Sequence, residues 1–167
     1  VIATTVSVLL HLLSDVGLRL NIIQSHRGDD PDFLNTAWTV QIIRGFLLFA
    51  LTLLLALGAW LAQLAELWPA DSTYAAPVLP MVLAVTGLSA AIWGFQSTKI
   101  DVAVRTFQQK RVGLVDLASQ VAGLVVMLGL GLLTHSIWAL VISGLVSAVA
   151  WTVLGHTALE GPNNHLR

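Results

Sequence analysis

The sequence predicts an all-α protein, a polytopic membrane helix bundle with five transmembrane helices. Two observations carry this reading. Of 167 residues, 56% are hydrophobic and only 10% are charged, with a mean hydropathy of +0.83, whereas a soluble domain is about 25% charged. The shortage of charge is also concentrated, because no Asp, Glu, Lys or Arg occurs in 45–65, 72–98 or 117–159. A span needs roughly 20 mainly apolar residues, so the first two runs fit one span each and the third fits two. Helices are expected throughout, since a single span in lipid must satisfy its own backbone and an open sheet cannot.

The first segment covers 1–18 and ends in SDVGLRLNIIQ. A polar stretch follows, with turn chemistry at Gly28, Asp29, Asp30 and Pro31. The second segment covers 36–64, and the loop ELWPADSTYAAP leads to a third over 78–98. KIDVAVRTFQQKR then forms a basic loop before a fourth segment over 112–133. THS is a short turn into the fifth, 137–156, after which Gly161 and Pro162 mark a stop and a loop. The chain opens at Val1 inside an apolar run, with no methionine and no basic stretch before it, so it does not read as a signal peptide. The expectation is a partial N-terminal lobe over 1–167, whose partner is the rest of the same chain.

Lysines and arginines set the expected orientation. Arg19 and Arg27 lie in the first loop, Lys99, Arg105, Lys110 and Arg111 in the third, and Arg167 follows the last segment. The second loop holds Glu66 and Asp71 and no base, and the fourth only His135. Bases thus fall on alternate loops, which the positive-inside rule places in the cytoplasm together with the C-terminus. Trp60, Trp68 and Trp138 fall near the expected outer interface and Trp38 near the inner one, while Trp93 and Trp151 lie deeper, as packing residues. Small residues recur at four-residue spacing, in Gly87 and Ala91, Ala90 and Gly94, Ser119 and Gly123, and Gly144 and Ala148, a pattern that lets helices approach closely. Gly129 and Gly131 lie inside an apolar helix and read as packing, not as a phosphate loop.

The few intramembrane polar groups are the candidate site. Asp15 and Arg19 are spaced i, i+4, share a helix face and can pair at the inner end of the first helix. Asp101 and Arg105 repeat the spacing, and there it reads as charge neutralisation at a helix end. Arg44 lies nine residues beyond Asn35, roughly 13 Å along the axis. An arginine at that depth faces either a polar cavity, where its fork suits phosphate, or a partner carboxylate such as Asp15 or Asp116. Gln41, three residues before Arg44, can share its polar face. Asp116 and Gln120 form another i, i+4 pair, which either lines the same cavity or caps the helix near the inner interface. With no cysteine and five scattered histidines, no metal or other cofactor is expected. No nucleophile–base constellation points to an enzyme, and a net charge of −1 gives no reason to expect a nucleic-acid partner.

The order of these segments carries a resemblance. SDVGLRLNIIQ followed by FLNTAWTVQIIRG, then GFQSTKIDVAVRTFQQKRVGLVDLASQVAG and SIWALVISGLVSA, resembles polysaccharide biosynthesis proteins of the lipid-linked oligosaccharide flippase type (Wzx-like). These belong to the multidrug/oligosaccharidyl-lipid/polysaccharide exporter superfamily. The resemblance implies helices two to six of a two-lobed transporter with about a dozen helices. It also implies a multi-pass protein of a bacterial plasma membrane that flips lipid-linked repeat units by alternating access. The implied partners are an undecaprenyl-pyrophosphate oligosaccharide and membrane lipids. The implied central cavity is cationic, with Arg44 in the arginine position of T-A-W-x-x-Q-x-x-R-G.

Three other readings stay open. A cation-coupled drug exporter of the same superfamily favours a carboxylate deep in the membrane, whereas Asp15 and Asp116 sit near helix ends. A membrane enzyme that polymerises or ligates sugar chains calls for a long external loop. A membrane scaffold without transport would tolerate loss of Arg44.

Overall fold

The structure, a computed structural model, describes residues 4–6, 8–9, 22–28, 30–69 and 72–166. The expected first span falls almost wholly outside them, as do Asp15 and Arg19. The described residues form helices and connecting turns, with no strand among them. In chain order these are α1 (Pro31–Leu64), a short 3-10 turn (Thr73–Ala75), α2 (Leu79–Gly94), α3 (Lys99–Arg105), α4 (Gln109–Thr134) and α5 (Trp138–Thr157). α1, α4 and α5 are each long and apolar enough to cross a membrane, and α2 with α3 makes a fourth such span only as a bent pair. The chain is therefore an all-α, polytopic membrane bundle.

α1 starts five residues before the expected Thr36. Asp30 is its N-cap and accepts a hydrogen bond from the Asp32 amide at 3.0 Å, and Pro31 takes the first helical position. Both residues look like turn formers in the sequence, but their chemistry equally suits a helix start. The 34 residues of α1 span about 51 Å, well beyond a hydrocarbon core of about 30 Å. Its polar first turns thus extend past the apolar layer. α1 ends at a left-handed Glu66 (φ 51), and α4 ends at a left-handed His135 (φ 48).

The helices lie in the order α1, α2, α5, α4, each packed on the next. Gly45 of α1 meets Gly94 and the Ala90 carbonyl of α2, where a Cβ would come within 2.8–2.9 Å of backbone atoms. Further along the same face, Gly87 gives room to Thr52, and Ala56 packs with Leu79 and Leu83. Between α4 and α5, Ser119 and Gly123 meet the line of Ser143 and Ser147. The small-residue spacing thus marks close crossings, with one exception at Gly144. Gly144 has nothing within 4 Å of a Cβ position, and neither have Gly129 and Gly131. Those three glycines are not packing contacts among the described residues, and on α5 the close contacts fall one residue away, on Ser143 and Ser147.

The third expected span is broken. α2 stops at Gly94, and α3 leaves at an angle of 62°. The segment read as the loop KIDVAVRTFQQKR is largely helix, and it ends in a turn at a left-handed, exposed Phe107 (φ 57). Ile100, Ala103, Val115 and Leu159 form a core against this short helix, with Trp151 packed on it. The apolar positions of α3 point inward, so its burial is tertiary and leaves little trace in its charged sequence.

Candidate functional site

The break between α2 and α3 is held from three directions. Gln41 of α1 donates its amide hydrogens to the carbonyls of Trp93 and Gln96, each at 3.1 Å. Trp38, one turn earlier, donates to the Phe95 carbonyl at 3.4 Å, and His156 of α5 lies 2.8 Å from the same oxygen. From the C-terminal tail, Asn164 accepts from Ser97 Oγ (3.0 Å) and the Thr98 amide (3.3 Å) and donates to Thr98 Oγ1 (2.6 Å). A helix end leaves carbonyls without partners, and at membrane depth such groups need protein partners to replace water. Here Gln41, Trp38, His156 and Asn164 supply them.

The bases of this region are tied to the same framework. Lys99, 7% exposed, donates Nζ to the His156 carbonyl (3.0 Å) and to Asn163 Oδ1 (2.9 Å). Arg105 reaches the carbonyls of Ile22 and Ser25, and a Cβ at Gly28 would collide with its guanidinium. Arg111 pairs with Glu160 at 2.8 Å. Asp101 is 4% exposed, a buried group on the same short helix.

Beside the break lies a cleft of about 640 Å³, walled by the end of α2, the start of α4 and the middle of α5. From α4 it takes Gln109, Asp116, Ser119 and Gln120, which recur at helical spacing on one face. Gln96 and Ser147 add further polar groups, and the indoles of Trp93 and Trp151 flank them. From Gln109 to Gln120 the lining runs 11 residues, about 16 Å into the bundle. A second, mainly apolar cavity of about 290 Å³ lies between α2 and α5 and shares Trp93 and Gly144 with the first. Polar groups held at such depth carry a desolvation cost, which an aqueous or ligand-filled cleft removes.

Only part of the candidate set comes together here. Asp116 and Gln120 line the cleft. Asp116 is exposed and stands seven residues past Gln109, beyond the first turn where a cap acts. Gln41 is drawn instead to the helix break, and Arg44 is half-buried on α1 and already engaged. α1 adjoins α2, whereas α4 adjoins α5 on the far side of the layer. Arg44 and Asp116 therefore do not form the expected ion pair. Asp15 and Arg19 lie outside the described residues. The sequence reading missed Gln96, Gln109, Ser119 and Ser147, and it assigned Trp93 and Trp151 to packing alone. Gln109 was within reach, since it stands seven residues before Asp116 and so on the same face of α4.

A multi-spanning helical bundle with a polar cleft between its helices defines a polytopic membrane protein. The model of the polysaccharide biosynthesis protein family matches residues 1–161, and the chain belongs to that family. No curated protein and no solved structure matches it.

Proposed function

We propose that this chain is part of a flippase that carries lipid-linked oligosaccharide repeat units across a bacterial plasma membrane by alternating access, for cell-surface polysaccharide biosynthesis. The observation that carries the reading is the cleft between α2, α4 and α5, with amides and a carboxylate set between two indoles. Sugars are bound by such combinations, hydroxyls against amides and carboxylates and the C–H face of the ring against an aromatic plane. Family membership supplies the link to polysaccharide biosynthesis. In the orientation given by the basic loops, the Gln109 end of the cleft opens toward the cytoplasm, the side from which a cargo bound for the outer leaflet would load. The cargo is an undecaprenyl-pyrophosphate type lipid, and Arg44 of α1 is not among the residues that line this cleft.

The test uses the full-length protein in liposomes containing a fluorescent undecaprenyl-pyrophosphate oligosaccharide. Accessibility of the label in the outer leaflet is followed with time. Wild type accelerates its appearance, Gln120→Leu slows it, and Arg44→Ala reports whether that arginine serves the pyrophosphate. A wild-type rate equal to that of empty liposomes sinks the proposal. A second reading, cation-coupled drug export, draws on the exposed carboxylate of Asp116 in the cleft. Efflux of a cationic dye that depends on a proton or sodium gradient would favour it.

A further inference from the structure

We infer that the cleft selects its sugar by charge. It accepts a neutral or amino sugar and turns away a uronate, and Asp116 is the specificity-determining residue. The inference rests on the transport reading above and adds the chemical class of the sugar.

Three observations carry it. First, the lining holds one carboxylate, Asp116, and no Lys, Arg or His among the described residues. Second, that carboxylate is exposed to the cleft and takes part in no hydrogen bond or ion pair among the described residues, so its acceptor capacity is available. Third, the neighbouring bases point elsewhere. Lys99 is bound to the His156 carbonyl and Asn163, Arg105 to the carbonyls of Ile22 and Ser25, and Arg111 to Glu160. Lys110 is exposed beside Gln109 and does not line the cleft. The one histidine on α5, His156, meets the Phe95 carbonyl.

The chemistry follows from these donors and acceptors. The side chains of Gln96, Gln109 and Gln120 both donate and accept, so they orient hydroxyls without choosing a charge. A carboxylate only accepts. It binds a hydroxyl or an ammonium and repels a second carboxylate, and among the described residues no cation lines the cleft to offset that repulsion. Two like charges within a few ångströms in a partly desolvated cleft lower affinity by roughly tenfold or more. The indoles of Trp93 and Trp151 in the lining carry no formal charge and leave the choice of charge to Asp116. Among the described residues, the lining of this cleft is thus not the cationic one that the resemblance implies.

The experiment is a titration of the full-length protein in nanodiscs with methyl β-glucoside, methyl β-glucosaminide and methyl β-glucuronide, read by saturation-transfer NMR. Wild type is expected to bind the first two at least about tenfold more tightly than the glucuronide. Asp116→Asn keeps the shape and removes the charge, so the difference shrinks to within about threefold. Gln120→Glu adds a second carboxylate and widens it. Glucuronide binding as tight as glucoside binding, or a ratio that neither variant moves, overturns the inference. The liposome assay separates this result from the transport reading. Flipping without discrimination in the titration keeps the flippase and rejects the charge filter, and discrimination without flipping keeps the filter and rejects the flippase.

Discussion

Replacing Gly45 by alanine should loosen the bundle, whereas the same change at Gly144 should not. At Gly45 a Cβ would sit 2.8 Å from the Ala90 carbonyl oxygen and 2.9 Å from the Gly94 Cα. Ordinary contact begins near 3.4 Å, so α1 and α2 must part by 3.4 − 2.8, about 0.6 Å. The neighbouring bond from Gln41 to the Trp93 carbonyl, now 3.1 Å, would lengthen to about 3.7 Å, beyond useful hydrogen-bond range. Overpacking costs about 1–3 kcal/mol, and a hydrogen bond between membrane helices adds roughly 0.6 kcal/mol. A loss of about 2 kcal/mol is expected, partly offset by the better helix propensity of alanine. Gly144 has nothing within 4 Å, so Gly144→Ala should be neutral or slightly stabilising, by up to about 1 kcal/mol. The assay is reversible unfolding of the full-length protein in mixed micelles, followed by tryptophan fluorescence. Equal stability of the two variants would refute the geometric argument. So would a larger loss at Gly144 than at Gly45.

Further outcomes follow from the same framework. Asn164→Ala removes three hydrogen bonds around Thr98 and should cost about 1–3 kcal/mol. Hydrogen exchange should show faster exchange of the Thr98 amide, and an unchanged rate would remove the tail from the account of the break. Lys99→Met keeps the buried stem and removes the two bonds of the ammonium group. It should release the segment around Asn163, seen as faster proteolysis after 157. Asp30 is held below its ordinary 3.8, first by its hydrogen bond with Arg27 and then by the Asp32 amide. Because the folded value is the lower one, its contribution is complete above about pH 4 and is lost as pH falls through the folded value. Acid should therefore fray the first turn of α1 in wild type, as measured by amide exchange of Asp32 and Phe33. In Asp30→Ala that turn should already be frayed at neutral pH, and its exchange should show no acid transition.

The architecture was legible because its cause is compositional. Lipid demands long apolar runs and helices, and the runs without charge fall within α1 and over most of α4 and α5, although α1 and α4 begin in the charged stretches before them. The break after Gly94 was not legible, since no proline marks it and most of the side chains that hold it are distant in sequence. Its partners come from Gln41, Trp38, His156 and Asn164, each more than fifty residues away. A local reading sees only a uniform apolar run ending in Gln96, Ser97 and Thr98. Gln41 shows the matching limitation for the site. Its spacing to Arg44 is correct for a shared face, but a helix has several faces, and the close approach of Gly45 to α2 turns Gln41 toward that helix. Asp116 and Gln120 were found because their i, i+4 spacing coincides with the face that α4 presents to the cleft. Trp93 and Trp151 each belong to both readings, since one side of Trp151 packs on the Ile100 core and another lines the cleft.

The electrostatics of the cleft separate two uses of charge that a sequence merges. Lys99, Arg105, Lys110 and Arg111 make the third connection the most basic in the chain, and a count of lysines and arginines is what the positive-inside rule reads. Insertion responds to charges before tertiary partners exist. A ligand meets them afterwards, when Lys99 is buried among neutral acceptors, Arg105 holds backbone carbonyls and Arg111 is paired with Glu160. Of the residues in that basic stretch and the start of α4, the lining receives Val104, Gln109, Val112, Gly113 and Asp116. A connection that looks cationic thus borders a cleft whose one charged lining group among the described residues is the carboxylate of Asp116.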